Sequence, residues 1–338
     1  MVTFCLLADE WVQLLGEGEE LLAGSFASGT LRNLRCQWAR FRTFCEYYGV
    51  RNRFPASIQL LVAYMAWLCR TVKSQDTVRN YVHGLKVLHS LQGMDVSNFS
   101  DITVTLALRG VDRRLRYTPR RAQPITPGML TRMVANLDEF SPTDATTRAL
   151  FLMSFFLFLR KSSTVSNSVR GFDGAKQLVR GDCKRKGGIL FVYSKWSKTN
   201  QFGKRSHGVP LLPLKDSPLC PVAAYDNMCR LVPGVDTDPA FCSVVDGVRK
   251  PLTYAVFQRR LKASVTAIGL DPDRFSTHSF RRGGATLAFR AGIAGDTIKI
   301  LGEWRSEAYQ VYLECPIEVK AAASNLFREA VLARANNF

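Results

Sequence analysis

Histidine is scarce in this sequence, with four residues in 338, and the nine cysteines include no Cys-x-x-Cys pair. The pattern does not suggest a zinc site, because such sites draw their ligands from closely spaced cysteine and histidine residues. The cysteine spacing is irregular, so it does not suggest a disulfide framework either, and we expect a reducing compartment. We predict no metal site and no cofactor.

Long apolar runs are also missing. The longest, ALFLMSFFLFL at 149–159, has 11 residues between Arg148 and Arg160, whereas about 20 are needed to cross a bilayer. This run predicts a buried helix. The first residues, MVTFCLLADEWVQLL, have no basic segment and contain Asp9 and Glu10, which argues against a signal peptide. We expect no membrane association.

Acidic residues are few beside basic ones, 28 against 46, which gives a formal net charge of +18. Residues 1–120 hold 15 basic and 10 acidic side chains, and residues 121–338 hold the remaining 31 and 18. Because the excess positive charge is spread through both parts, the composition favours nucleic acid as a partner. A soluble basic protein without such a partner would have the same composition.

Apolar residues at helical spacing predict an all-helical region over about the first 115 residues. Residues 58–70 are apolar enough for a buried helix, and amphipathic helices flank them. The apolar stripes of the flanking helices are Leu31, Leu34, Trp38, Phe41 and Cys45, and Val78, Tyr81, Leu85, Leu88 and Leu91. Ser28 or Thr30 is the predicted N-cap of the first helix, and Gly49 and Gly93 follow the helix ends.

An arginine-rich and proline-rich stretch, RRLRYTPRRAQPITPGML, begins at Arg113. It ends where Thr126 and Pro127 supply an N-cap and a first-turn proline for a new helix. We therefore predict a helical domain at 1–117, a basic linker at 118–124 and a second domain at 125–338. The linker is either a solvated tether or a segment that follows a phosphate backbone.

The second domain is predicted to be mainly helical with a small antiparallel sheet. Residues 176–215 contain a Gly-Gly turn, the β-prone run ILFVY, a polar loop and a second short run, GVPLL. Short helices are predicted after it, including SEAYQVYLE at 306–314, and the last is PIEVKAAASNLFREAVLARANN.

Four residues of this domain attract attention as candidates for chemistry. His278 and Arg281 in HSFRRGGAT lie three apart, so they face the same side of a helix, although such pairs are common by chance. Arg160 is predicted to end the most apolar helix, where it either reaches a site or caps carbonyl groups. Lys198 lies at the tip of the predicted hairpin with Lys195 and Lys204, where a lysine is ordinarily solvated.

In this order and spacing, the candidates together resemble the tyrosine recombinase (phage integrase) family over nearly the whole chain. The motifs that carry the resemblance are LRKSS, WSKTNQFG, LCPV, HSFRRGGAT and LGEWRSEAYQVYL. They look most like the recombinases of eukaryotic DIRS and Ngaro-like mobile elements. The resemblance implies a helical DNA-clamping domain at 1–117 and a catalytic domain at 125–338 with a C-terminal helix.

The resemblance also implies a role for each matching residue. Arg160 and Arg281 would bind the scissile phosphate, His278 would accept and donate a proton, Lys198 would protonate the departing 5′ oxygen, and Tyr312 would attack phosphorus. A sixth residue, Trp304, occupies the position of a family histidine or tryptophan. Its indole N–H can donate a hydrogen bond but cannot accept a proton.

The sequence departs from the family at two places. Ser163 stands where many members carry a carboxylate, three residues after the first arginine. The spacing from the histidine or tryptophan to the tyrosine is commonly nine, whereas Trp304 to Tyr312 is eight and Glu303 to Tyr312 is nine. Tyr309, three residues before Tyr312, is predicted to be a packing residue.

The implied reaction is DNA cleavage and rejoining for integration of a mobile element. Double-stranded DNA would be the partner, with a dimer on one site and a tetramer on paired sites. The candidate DNA-binding residues are Arg32, Arg35, Arg79, Arg120, Arg121, Lys204 and Arg282. The alternatives are an inactive DNA-binding relative and a nicking and resealing enzyme of type IB topoisomerase character. A eukaryotic mobile-element origin implies the nucleus; any other origin implies the cytoplasm, associated with DNA.

Overall fold

The computed structural model describes residues 13–14, 16–18, 20–22, 24–118, 121–196, 207–245, 247–304, 306, 309–310 and 317–335. The chain divides into two compact units, Met1–Arg120 and Arg121–Phe338. Within the described ranges no helix is long and apolar enough to cross a membrane. The same ranges contain no group of three or more histidine, cysteine or acidic residues that could hold a metal ion.

The described part of the first unit is helical, with α1 at Ser28–Tyr47, α2 at Ile58–Thr71, α3 at Gln75–Leu91 and α4 at Ile102–Leu115. Its core is built by residues of the predicted stripes and of α2, among them Phe41, Cys45, Leu61, Tyr64, Leu68, Val78 and Leu85. The prediction of a helical region is confirmed. The predicted N-cap is wrong, because α1 already includes Ser28 and is capped by Ala27 without a side-chain hydrogen bond.

The second unit begins with α5 at Pro127–Ala135, capped as predicted by Thr126, whose hydroxyl oxygen accepts a hydrogen bond from the Met129 N–H at 3.2 Å. The apolar run lies in α6 at Pro142–Phe156, which is buried along most of its length. The prediction that Arg160 ends this helix is wrong. The helix ends at Phe156, and Arg160 lies in the extended segment after the following turn, where it is the N-cap of the short helix α7 at Lys161–Thr164.

The predicted antiparallel sheet is confirmed: β1 at Cys183–Lys186, β2 at Ile189–Ser194 and β3 at His207–Leu211 pair in that order. The turn between β1 and β2 uses Gly187 and Gly188, both with positive φ. A second hairpin, β4 at Cys242–Val245 and β5 at Val248–Pro251, was missed. Its signal in the sequence is the Asp-Gly pair at 246–247, a common hairpin turn.

The remaining helices of this unit are α8 at Pro221–Leu231, α9 at Tyr254–Ala267, α10 at His278–Arg290, α11 at Gly295–Leu301 and α12 at Ile317–Ala335. The main core gathers α6 with α8, α9, α10 and the three-stranded sheet. A smaller apolar cluster contains Phe158, Ala285, Ile298, Trp304 and Tyr309. The prediction of a mainly helical chain with a small antiparallel sheet is therefore confirmed.

Candidate functional site

Arg281 is buried in the second unit, with 2% of its surface exposed. It lies on the first turn of α10 and donates hydrogen bonds from Nη1 to the Phe158 carbonyl and from Nη2 to the Gly302 carbonyl, the latter at 2.6 Å. A buried charge needs such partners, because each unsatisfied donor would cost free energy. The guanidinium group is thus held by backbone that follows two different helices.

Arg160 is half-buried beside it and donates from Nη2 to the Glu303 carbonyl at 3.2 Å. Both arginines line one pocket, together with Ser163, Gly302 and Glu303. The structure thus brings together two arginines that are 121 residues apart in the sequence.

His278 is the first residue of α10, one turn before Arg281, and its side chain reaches the surface. Surrounding protein atoms lower its pKa below the ordinary value of 6.5, and the positive charges of Arg281, Lys161 and Arg160 lower it further. The imidazole is therefore neutral at neutral pH and able to accept a proton.

Trp304 is 8% exposed and lies against Arg281, whose guanidinium carbon is 3.6 Å from the centroid of the indole ring. This geometry is a cation–π contact through the ring face. The indole also packs on Phe158 and Tyr309, with ring centroids 6.3 and 6.1 Å away. From the sequence, the expected role of Trp304 is a hydrogen bond from its indole N–H to a phosphate. The structure shows in addition that the ring face contacts Arg281.

Tyr309 is 6% exposed and packs in the small apolar cluster, as the sequence predicts. Its hydroxyl lies close to the backbone of Gly295, where an added Cβ would be 2.6 Å away. Tyr312 lies outside the described residues, as do Lys198 and Lys204 of the hairpin. Their assigned roles stay predictions.

Ser163, three residues after Arg160, is 4% exposed, and its hydroxyl donates a hydrogen bond to the Trp196 carbonyl at 3.5 Å. Ser194 donates to the same carbonyl at 3.3 Å. Nearby, Lys195 forms an ion pair with the mostly buried Asp182 at 2.9 Å.

Among the candidate DNA-binding residues, Arg32 and Arg35 are exposed on α1, and Arg121 is exposed at the start of the second unit. Arg79 is exposed on α3 but bonds the Asp112 carboxylate through Nε, at 3.3 Å, and Nη2. Arg282 is half-buried and donates to the Ala122 carbonyl at 2.9 Å. A sixth candidate, Arg120, lies outside the described residues.

Sequence reasoning missed Lys161 and the carbonyl groups that hold the arginines. The Lys161 ammonium lies 3.6 Å from the ring centroid of Tyr254, and its charge acts on His278. Its position directly after Arg160 was the available signal. The carbonyls of Phe158, Gly302 and Glu303 have no sequence signal, because any residue can supply a backbone oxygen.

No family model matches this chain. An integrase/recombinase xerD homologue from Selenomonas ruminantium is 26% identical over 328 residues, which cover 94% of this chain and 88% of that relative. The fold is similar to XerH site-specific recombinase in a post-cleavage complex with palindromic difH substrate, with 14% identity, a TM-score of 0.58 and coverage of 88% and 79% of the two chains.

A second solved structure, the Tn1549 transposon integrase in complex with transposon right end DNA, is 13% identical with a TM-score of 0.59. The similarity covers 91% of this chain and 96% of that one. These likenesses show a shared fold that spans both units of the chain. The chain is thus similar to site-specific recombinases and integrases in fold and, at 26% identity to one relative, in sequence.

Proposed function

We propose that this protein is a site-specific DNA recombinase or integrase that cleaves and rejoins DNA through a covalent 3′-phosphotyrosine intermediate. The observation that carries the proposal is the convergence of Arg160 and Arg281 on one pocket, with His278 one helical turn from Arg281. Guanidinium groups present planar sets of N–H donors that suit phosphate oxygens. The similarity to an integrase/recombinase over most of the chain supports the same reading.

In the proposed first step, the Tyr312 hydroxyl oxygen attacks the scissile phosphorus, and the bond from phosphorus to the 5′ oxygen breaks. His278 accepts the proton of Tyr312, and Lys198 donates a proton to the departing oxygen. Arg160 and Arg281 donate hydrogen bonds to the nonbridging oxygens, whose negative charge increases in the transition state. Attack by the 5′ hydroxyl of another strand reverses these transfers and rejoins the DNA without a nucleotide cofactor.

The depressed pKa of His278 supports its role as the first proton acceptor. Burial lowers this pKa most, and the nearby positive charges that lower it further would also bind a phosphate diester. When a phosphate enters, its negative charge raises the affinity of His278 for a proton at the moment when Tyr312 must lose one. The same group can then return the proton during rejoining.

Double-stranded DNA is the proposed partner. The XerH and Tn1549 integrase structures contain DNA, and a lambda integrase fragment with a TM-score of 0.51 is a dimer bound to a core site. We propose a dimer of this chain on one site and a tetramer on paired sites, with exposed arginines such as Arg32 and Arg35 at the phosphate backbone. The basic composition of both units supports contact with DNA.

Integration of a eukaryotic DIRS or Ngaro-like element, in the nucleus, is the finer proposal. It rests on the motifs LRKSS, HSFRRGGAT and LGEWRSEAYQVYL. The test is to incubate the chain with DNA that carries the termini of the source element and to look for joined products. Joining of unrelated termini at an equal rate would contradict this assignment.

The nucleophile is tested with a nicked DNA substrate that traps the covalent intermediate. Tyr312→Phe should fold and bind DNA yet form no adduct under denaturing electrophoresis. Tyr309→Phe is the matched control, because it also removes one phenolic oxygen but leaves the ring in its packed position. An adduct that persists in Tyr312→Phe and maps to Tyr309 would refute the assignment. Binding without an adduct in the wild-type chain would favour an inactive relative.

The role of Lys198 is tested with a substrate whose 5′ bridging oxygen is replaced by sulfur. A thiolate leaving group needs little proton assistance, so this substrate should restore cleavage by Lys198→Ala. Lys195→Ala is the matched control: Lys195 forms an ion pair with Asp182, so this variant should show no preference for the sulfur substrate. Relaxation of a supercoiled plasmid with a single site would indicate topoisomerase activity instead of exchange between two sites.

A further inference from the structure

Helix α6 ends in a paired hydrogen-bond motif. The Phe158 N–H bonds the Phe155 carbonyl at 3.4 Å, and the Leu159 N–H bonds the Ser154 carbonyl at 3.2 Å. These bonds define a Schellman motif, in which the residue after the C-cap adopts the left-handed conformation. That residue is Phe158, with φ of +49°.

Helix α11 ends in the same way. The Glu303 N–H bonds the Ile300 carbonyl at 3.0 Å, and the Trp304 N–H bonds the Lys299 carbonyl at 3.0 Å. The left-handed residue is Glu303, with φ of +53°. Side chains with a Cβ disfavour this conformation, so glycine is the usual residue at such a position.

Four other helix ends among the described residues follow the usual rule, whereas α4 ends with Arg116 at a φ of +40°. The same pair of backbone bonds closes α1, α3, α9 and α10, and the left-handed residue is glycine in each case: Gly49, Gly93, Gly269 and Gly292. Among the described Schellman ends, those of α6 and α11 therefore depart from glycine. Non-glycine residues kept in a disfavoured conformation often mark a functional site.

The two exceptional turns share one property, which is that they hold the arginine pair. The Phe158 carbonyl accepts a hydrogen bond from Arg281. The Glu303 carbonyl accepts one from Arg160 at 3.2 Å, and the adjacent Gly302 carbonyl accepts one from Arg281 at 2.6 Å. Carbonyls at the C-terminal end of a helix carry partial negative charge and lack partners within the helix, so they attract cations.

Ring packing fixes both turns in place. The Phe158 ring lies so close to Gly284 that a Cβ added there would be 2.7 Å from it. The Trp304 ring lies over Gly302, where an added Cβ would be 1.7 Å away. These aromatic contacts stabilise the left-handed backbone, because leaving it would pull buried rings out of the apolar cluster.

We infer that Phe158 and Glu303 are positioning residues, whose left-handed turns aim backbone carbonyls that fix Arg160 and Arg281 before DNA binds. The catalytic role of these turns rests on the proposed function, whereas the hydrogen bonds that hold the two arginines do not. Holding each guanidinium group in the folded protein means that its side-chain entropy is lost on folding and not during the reaction.

The geometry is tested first by NMR of the full-length chain with ¹⁵N-labelled arginine, the signals being assigned with Arg160→Lys and Arg281→Lys. Hydrogen bonds to carbonyls slow rotation of the guanidinium group and separate its Nη signals. Glu303→Val, a β-branched residue that opposes positive φ, should merge or shift these signals for both arginines. Glu303→Gly, which permits the same φ, should keep them.

Gly269→Val is the matched control. It places the same side chain at a left-handed helix end with open space around the Cβ. The neighbouring Ile268 carbonyl accepts a bond from Arg132 at 2.6 Å. This variant should therefore disturb the Arg132 signals and leave those of Arg160 and Arg281 unchanged.

The consequence for catalysis is tested by single-turnover adduct formation at saturating DNA. Glu303→Val should lower the rate by about tenfold or more, as expected when a preorganised donor is misplaced, while the Kd for DNA changes little. Adding Arg160→Ala to Glu303→Val should cost less than the two separate losses predict, because both act through one group. When Arg160→Ala is added to Gly269→Val, the losses of rate from the two changes should be additive.

Unchanged arginine signals in Glu303→Val would overturn the inference, as would a wild-type rate in that variant or full additivity with Arg160→Ala. If the wild-type chain forms no adduct, the proposed function fails on that result alone. The NMR comparison of Glu303→Val with Gly269→Val would still decide whether the turns position the arginines.

Discussion

Arg281 stacks on Trp304, with the guanidinium carbon 3.6 Å from the centroid of the indole ring. The carbonyls of Phe158 and Gly302 hold the same guanidinium group. Together these three partners fix both the position and the plane of the guanidinium group. The arrangement suits a group that must meet a phosphate diester.

The stacking predicts that Trp304→Phe will slow adduct formation, because a smaller ring leaves Arg281 less firmly held. We also expect it to lower the free energy of unfolding by about 1–2 kcal/mol, since the side chain is 8% exposed and the change leaves a cavity. Single-turnover cleavage and guanidinium chloride unfolding of the full chain measure the two effects.

Trp67→Phe is the control for this change. Arg40 lies 4.8 Å from the Trp67 ring centroid in the first unit, so the control also weakens a cation–π contact. It should reduce stability without changing the rate of adduct formation at saturating DNA. Equal losses of rate in the two variants would contradict a specific role for Trp304.

The pKa of His278 in the free protein should lie below 6.5, and Lys161→Met should raise it by removing one nearby positive charge. Since the folded state binds this proton less readily than the unfolded state, His278 favours unfolding as the pH falls through 6.5 towards its folded pKa. NMR titration of the imidazole, assigned with His278→Gln, measures the shift. Lys176→Met, which removes a lysine paired with Asp173, should leave the titration unchanged.

The fold class could be predicted because apolar periodicity and capping signals are local. The stripe containing Phe41 and Cys45 and the cap at Thr126 were read directly from neighbouring residues. The end of α6 could not be predicted, because the sequence signal for such an end is a glycine in the left-handed position. Here that position holds Phe158.

The candidate site was predictable only as a set of side chains. Arg160, His278 and Arg281 were found from their spacing and their resemblance to a family. The carbonyls of Glu303 and Phe158 that hold Arg160 and Arg281 lie more than a hundred positions away from them in the sequence. No local pattern encodes which backbone oxygen a buried arginine will meet.

We predict that the exposed apolar side chains of the C-terminal helix α12 contact another protomer when the protein assembles on DNA. Its residues Leu326, Phe327, Val331 and Leu332 are 48–73% exposed, and the family resemblance implies a tail exchanged between protomers. Phe327→Ser should therefore reduce complexes on paired sites more than binding to one site, as measured by gel mobility shift. Phe140→Ser, at a similarly exposed position, should affect neither. Equal losses on single and paired sites would argue against exchange.

Gly284 in α10 and Gly110 in α4 predict opposite effects of the same substitution to alanine. A Cβ at Gly284 would lie 2.1 Å from the Phe155 carbonyl oxygen and 2.7 Å from the Phe158 ring. Both obstacles are rigid, because one is backbone and the other is a ring 5% exposed in the apolar cluster. Gly284→Ala must therefore push α10 away from α6, and overpacking of this kind typically costs about 1–3 kcal/mol.

Gly110→Ala provides the comparison, because Gly110 is exposed within α4 and has nothing within 4 Å of an added Cβ. Alanine there should stabilise the chain by about 0.5–1 kcal/mol, since it restricts the unfolded state and suits a helix. Because the displaced turn at Phe158 also holds Arg281, Gly284→Ala should slow adduct formation even at temperatures where the variant remains folded. Thermal unfolding of both variants, with cleavage assays well below each Tm, tests the pair. A Gly284→Ala protein with wild-type stability and cleavage would show that α10 does not pack on the Phe158 turn as closely as described.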